Sequence, residues 1–155
     1  MVLKISLGLF TAAALAIGLS PVAMADAKAA IEARQACMKA NAGMMKVMIP
    51  VIKGQKPYDK ASIDAAIAES QKACAGWADW WGEDTKPGTP AGKAAKTEAK
   101  AEVWSDAAGF EAAGKAYMTA EAAVLAATDE ASFKAAFPAL GKSCGTCHES
   151  FRQAD

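Results

Sequence analysis

The chain has 155 residues, 53% of them hydrophobic, and its 17 basic residues are balanced by 17 acidic ones. That length suffices for one domain with a real core and not for two of ordinary size. The even charge offers no field for nucleic acid or for an anionic membrane surface, so neither is expected as a partner.

Lys4 precedes an uncharged run from Ile5 to Ala25, and charges begin again at Asp26. A short basic start, an apolar middle from Leu7 to Leu19, Pro21 and the small-x-small ending Ala23-Met24-Ala25 are the parts of a secretory signal. Residues 1–25 are therefore expected to be cleaved and 26–155 to form the domain, although the run is also long enough to remain as a membrane anchor. Losing Lys4 leaves 16 basic and 17 acidic residues, still near neutral. No further membrane-spanning run follows, so no stable membrane insertion is expected after cleavage. Export leads to an oxidising compartment, the periplasm in a bacterium, where disulfides persist.

The rest is rich in alanine, with apolar residues at spacings of three and four and nothing that alternates as a strand would. Four helices are predicted. The first runs from about Ala27 to Ile52, with Ile31, Met38, Met45, Met48 and Ile52 on one face beside Arg34 and Asn41. It is interrupted near Pro50 and stops at Gly54. Asp59 caps a second helix that continues to about Trp81. Gly82, Pro87, Gly88, Pro90 and Gly92 mark a surface crossover between Gly82 and Lys96. The third helix spans about Glu102 to Ala127, with Val103, Trp104, Phe110, Tyr117, Val124 and Leu125 as its larger core residues. Asp129 caps a fourth carrying Phe133, Phe137, Leu140, Cys144, His148 and Phe151, bent locally at Pro138. One short and one longer connection imply an all-α fold, an antiparallel up-down-up-down four-helix bundle.

On the last helix stands Cys144-Gly145-Thr146-Cys147-His148. C-x-x-C-H is the attachment motif of c-type haem, in which each thiol bonds a vinyl group and the imidazole ligates iron from one face. A redox C-x-x-C wants a βαβ setting, and a zinc site needs two more ligands at short spacing. His148 is the single histidine. At i, i+3 and i+4 the three side chains share one helix face, so one covalent haem c is expected against the inner side of the fourth helix.

In this topology the start of the first helix lies beside the end of the fourth. Met38 is then level with the iron, while Met45 and Met48 lie about 10 to 15 Å further along and Met118 sits at the far end. Met38 is the candidate distal ligand; its alternative is core packing beside an open iron face. Arg34, one turn earlier, is the candidate partner of a haem propionate or else an arginine snorkelling from the helix start. Lys142 and Arg152 flank the motif, as steering charges for a redox partner or as ordinary solvated ones. Cys37 and Cys74 are level in an antiparallel hairpin, and their small neighbours Ala36, Ala73 and Ala75 permit the approach within about 7 Å that a disulfide needs. Two buried free thiols are the alternative.

By these residues the chain resembles the cytochrome c′ family, the class II c-type cytochromes. The likeness covers nearly all of the mature chain. It rests on Arg34 with Met38 four residues on, Lys53-Gly54-Gln55-Lys56-Pro57-Tyr58-Asp59, Val103-Trp104-Ser105-Asp106, and the stretch from Gly141 to Arg152 around the motif. The resemblance implies a four-helix bundle with its haem near the carboxyl end and one of two functions. Low-spin members use a methionine as sixth ligand, whereas members with an open iron bind nitric oxide or carbon monoxide. The segment Cys37-Met38-Lys39-Ala40-Asn41 looks like the low-spin branch. The leading expectation is therefore a periplasmic one-electron carrier, not an enzyme, acting as monomer or homodimer with redox proteins as partners. The alternative is a five-coordinate gas sensor or scavenger. Peroxidase-like catalysis needs a distal acid–base group, and no second histidine exists to supply it.

Overall fold

The computed structural model describes residues 21–153. Its helices are α1 (Pro21–Ile52), α2 (Lys60–Ala73), α3 (Pro90–Ala94), α4 (Glu102–Ser105), α5 (Ala107–Leu125) and α6 (Glu130–Phe151). The long ones, α1, α2, α5 and α6, make a four-helix bundle, and α3 and α4 lie in the connection between α2 and α5. Among the described residues no strand occurs, only an isolated bridge between Ala99 and Arg152. Among the same residues no helix is long and apolar enough to cross a membrane. The expected leader lies outside the described residues except for Pro21–Ala25, which begin α1.

Local chemistry sets the helix ends. The predicted interruption at Pro50 does not occur, because Pro50 sits in the last turn of α1, where its missing N–H costs a single bond. Gly54 then takes φ +68° and donates to the Val51 carbonyl at 3.0 Å, while Gln55 donates to Pro50 at 2.8 Å, which is a Schellman stop. The Asp59 carboxylate caps α2 by accepting from the Ala61 N–H at 3.1 Å and the Ser62 hydroxyl at 2.5 Å.

Two predicted helices are shorter than the pattern suggested. α2 ends at Ala73 rather than Trp81, and Trp77–Asp79 form a separate 3-10 turn. Gly76 makes that break possible, since a Cβ there would stand 2.7 Å from the Trp80 indole nitrogen that folds back over it. The predicted third helix is divided at Asp106, which leaves the helical region at φ −123° and ψ 59°. Its carboxylate accepts from the Gly109 N–H at 3.0 Å and restarts the chain as α5. The crossover also holds more structure than its glycines and prolines implied, with a 3-10 turn at Glu83–Thr85 and α3 capped by Thr89.

Packing pairs α1 with α2 and α5 with α6. The two hairpins meet in a core of Met44, Met48, Val51, Ile63, Ile67, Val124, Phe133 and Leu140. α3 covers the start of α1 through Ala91 against Ala27 and Ile31. The buried line of α1 matches the expected one at Ile31, Arg34 and Met48 and differs elsewhere: Cys37, Met44 and Val51 are also enclosed, whereas Met38 is 36% exposed. Met45 and Ile52 pack against the rim of the core. A repeat near 3.5 residues does not decide between neighbouring positions, and a covalent bond from Cys37 to α2 settles which line turns inward.

Candidate haem site

Cys144, Cys147 and His148 occupy the final turns of α6. Burial pushes both half-buried thiols above the ordinary cysteine range, with the neighbouring Ser143 hydroxyl partly opposing this for Cys144. They are held as thiols, unlike the thiolates of redox pairs and zinc sites. Partial burial and then the Arg152 guanidinium lower the His148 pKa, against a smaller opposing pull from Glu98. That keeps the imidazole neutral, the form with a lone pair for a metal. Among the described residues no group of three or more His, Cys, Asp and Glu could hold a metal ion.

A polar chain runs from α1 to Cys144. Cys37 and Cys74 form a disulfide with S–S 1.98 Å and Cα atoms 4.8 Å apart. The Asn41 amide nitrogen lies 3.8 Å from each of the two sulfurs. Its oxygen accepts from the Ser70 hydroxyl at 2.5 Å and the Tyr117 hydroxyl at 2.7 Å. The single Tyr117 proton is shared between this oxygen and Glu121, 2.5 Å from the phenol, and Gln71 donates to the other Glu121 oxygen at 2.9 Å. Tyr117 and Glu121 both lie within electrostatic reach of Cys144. Burial first, and the Glu121 bond second, hold the Tyr117 phenol far above its ordinary pKa. Periodicity missed this network, because it reads apolar spacing and not which polar side chains meet.

Arg34 is 5% exposed, so it is not a snorkelling surface arginine. Its guanidinium donates to the Trp80 carbonyl and Thr85 hydroxyl at 3.2 Å, and to the Thr85 carbonyl and Thr97 hydroxyl at 3.3 Å. It stacks 4.3 Å over the Trp81 ring. All four acceptors are neutral, and among the described residues no carboxylate pairs with it. Burial lowers its pKa to about 10. Trp81 in turn packs edge-on against Trp77, Trp104 and Phe110, and Phe110 against Phe151 of α6. Its indole nitrogen is buried without a partner.

Met38 lies between Arg34 and Asn41 along α1. At 100° per residue it stands about 40° from Arg34 and 100° from Cys37, so it leans away from the disulfide to α2. Met44 and Met48 are fully buried in the core, and Met118 is 59% exposed on α5. Arg152 is bound to Glu98 at 2.8 Å, and Lys100 and Gln153 backbone bonds tie the crossover to the end of α6. Two thiols and an imidazole on one helix face, a buried cation lacking a counter-ion and an orphaned indole donor suit a macrocycle that carries its own carboxylates.

This bundle with its C-x-x-C-H helix defines a haem-bearing c-type cytochrome. A family model described as Cytochrome C′ matches residues 29–152. A cytochrome c′ from Pararhodospirillum photometricum is 39% identical over 139 residues, covering 83% of this chain and all of that protein. A cytochrome c-556 from Agrobacterium fabrum is 31% identical, covering 79% of this chain and 80% of its own length. Among solved structures, a ferrous variant of cytochrome c prime from Alcaligenes xylosoxidans with bound nitric oxide matches with TM-score 0.70 and 30% identity, over 83% of this chain and 97% of that one. The chain belongs to the cytochrome c′ family. It is a monohaem c-type cytochrome that carries one covalently bound haem c.

Proposed function

We propose that the protein is a five-coordinate haem protein whose open iron face binds nitric oxide or carbon monoxide, as sensor or scavenger. The observation that carries this reading is the match, over 83% of this chain and 97% of the other, to a cytochrome c prime holding nitric oxide. Bound haem c supplies an iron able to take a diatomic ligand and to change oxidation state by one electron. Cys144 and Cys147 hold it through thioethers, and neutral His148 is its proximal ligand. Arg34 receives a propionate, which gives the buried guanidinium the anion it lacks. Met38 overlies the distal face as an apolar lid and excludes water, and with one histidine in the chain no distal acid–base group follows. The protein is not an enzyme on this reading. Residues 1–25 direct export to the periplasm, and redox proteins are the partners.

The second reading keeps Met38 as sixth ligand of a low-spin electron carrier. It is favoured by the methionine at this place, one turn after the buried Arg34 on α1. Absorption spectra of the oxidised and reduced protein separate the two. A high-spin spectrum that shifts on adding carbon monoxide, and is unchanged in kind by Met38→Ala, is the expected outcome. A low-spin spectrum that Met38→Ala turns high-spin overturns it in favour of the carrier.

A further inference from the structure

We infer that Trp81 is a haem-anchoring residue, its indole N–H donating to the same haem carboxylate that neutralises Arg34. The inference rests on covalent haem attachment at Cys144 and Cys147, and it holds whether the iron is open or ligated by Met38.

Three observations converge on it. The Trp81 nitrogen is shielded from solvent and has no acceptor among the described residues. Leaving a buried N–H unpaired forfeits the hydrogen bond it made to water, so such a donor in an aromatic cluster calls for an acceptor. The neighbouring indole of Trp104 shows the contrast, donating to the Trp81 carbonyl at 2.8 Å. Second, the Arg34 guanidinium lies 4.3 Å over the Trp81 ring with only neutral acceptors around it. A cation on the indole face withdraws electron density from the ring and strengthens the N–H as a donor. One carboxylate oxygen on that N–H would satisfy the donor and bring negative charge beside the buried cation. Third, Trp81 stands between the two helices that bracket the haem. It touches Arg34, one turn before Met38 on α1, and reaches Phe151, one turn after His148 on α6, through Phe110.

For the carboxylate to arrive, a side chain shielding the nitrogen must swing aside. Lys86 is a long flexible side chain of the same cluster: its ammonium sits 5.9 Å over the ring of Trp104, which packs 6.1 Å from Trp81, and its side chain is 34% exposed. No protein acid accepts from the Trp81 nitrogen among the described residues, and two acids of this segment are paired elsewhere, Glu83 with Lys86 and Glu98 with Arg152.

The test is proton NMR of the reduced holoprotein, labelled with nitrogen-15 in tryptophan and saturated with carbon monoxide if the iron is open, so that it is diamagnetic in either case. Trp81→Phe assigns the indole signal. Should that variant not fold, Trp77→Phe, Trp80→Phe and Trp104→Phe assign it by elimination in the wild type. A slowly exchanging Trp81 indole proton with nuclear Overhauser contacts to propionate methylenes is expected. Contacts only to protein groups, or rapid exchange with water, overturn the inference. In the second arm, Trp81→Phe lowers the reduction potential relative to wild type, since the lost N–H no longer offsets the propionate charge, while Trp77→Phe leaves it unchanged. Equal potentials in all three proteins refute the anchoring role. Haem extracted by acid and organic solvent would refute attachment at Cys144 and Cys147 instead, so the two failures are distinguishable.

Discussion

The Tyr117 hydroxyl stands between the Glu121 carboxylate and the Asn41 amide, both drawn from helix faces that meet inside the bundle. Replacing Tyr117 by Phe leaves the ring packed and removes the one group that links the two, so Asn41 keeps only Ser70 as donor to its oxygen and Glu121 only Gln71. We expect a loss of about 1 to 3 kcal/mol in urea unfolding of the holoprotein. The pH dependence has a definite sign. A phenol whose folded pKa is raised favours its neutral form in the folded state, so its stabilisation is fully present below the ordinary tyrosine value of 10 and is lost as pH rises through the folded value. The wild type should therefore weaken at alkaline pH more steeply than Tyr117→Phe, and parallel curves would remove Tyr117 from the account. At this scale the C-x-x-C-H motif and Arg34 were legible, because rare spacing and a charge on an apolar face are visible in one dimension. Asn41, Ser70, Tyr117 and Glu121 were not. Nothing in a helical sequence announces which polar side chains will find each other across three helices, and Trp81 was legible only as the expected end of the second helix.

Between residue and molecule, helix ends carry their own chemistry. The Asp129 side chain accepts from the Ser132 N–H at 2.8 Å, and the Ser132 hydroxyl closes the capping box that starts α6. The Ser132 backbone and side-chain bonds, in that order, hold the Asp129 carboxyl below the usual range. A depressed carboxyl contributes stability above its unfolded pKa and loses it as pH falls through the folded one. Asp129→Asn keeps the acceptor and removes the charge. Its thermal midpoint should fall less between neutral and acid pH than that of wild type; an identical acid slope would assign the acid sensitivity elsewhere. The caps at Asp59 and Asp129 were readable because a short polar acceptor before an apolar-periodic run has one local use. The breaks at Cys74–Gly76 and Asp106 were not. The apolar spacing continues through both, and only the return of Trp80 over Gly76 and the Asp106 bond to Gly109 interrupt the helix.

For the whole bundle the question is what keeps the distal helix against the haem helix. α1 packs chiefly on α2 and α5 on α6, so the two hairpins are joined by the Met44, Met48, Phe133 and Leu140 core and by the Asn41 to Tyr117 bond. The haem, carried by α6 and overlaid by Met38 of α1 in the proposed arrangement, adds a third link toward the end of α6, beyond Leu140 of that core. The disulfide fixes the first hairpin at the same end, next to Met38, and closes a loop of sequence separation 37. In the chain-entropy model such a loop contributes about 3 to 4 kcal/mol. Replacing Cys37 and Cys74 together by Ser should lower the unfolding free energy by that order. It should also loosen the turn bearing Met38, because Asn41 loses both sulfurs it lies against. Faster carbon monoxide exchange in the double variant, with His148 ligation intact by spectrum, is then expected alongside the stability loss. Lower stability with unchanged exchange rates would confine the bridge to holding α1 on α2 and leave Met38 positioned by the core and the Asn41 to Tyr117 bond.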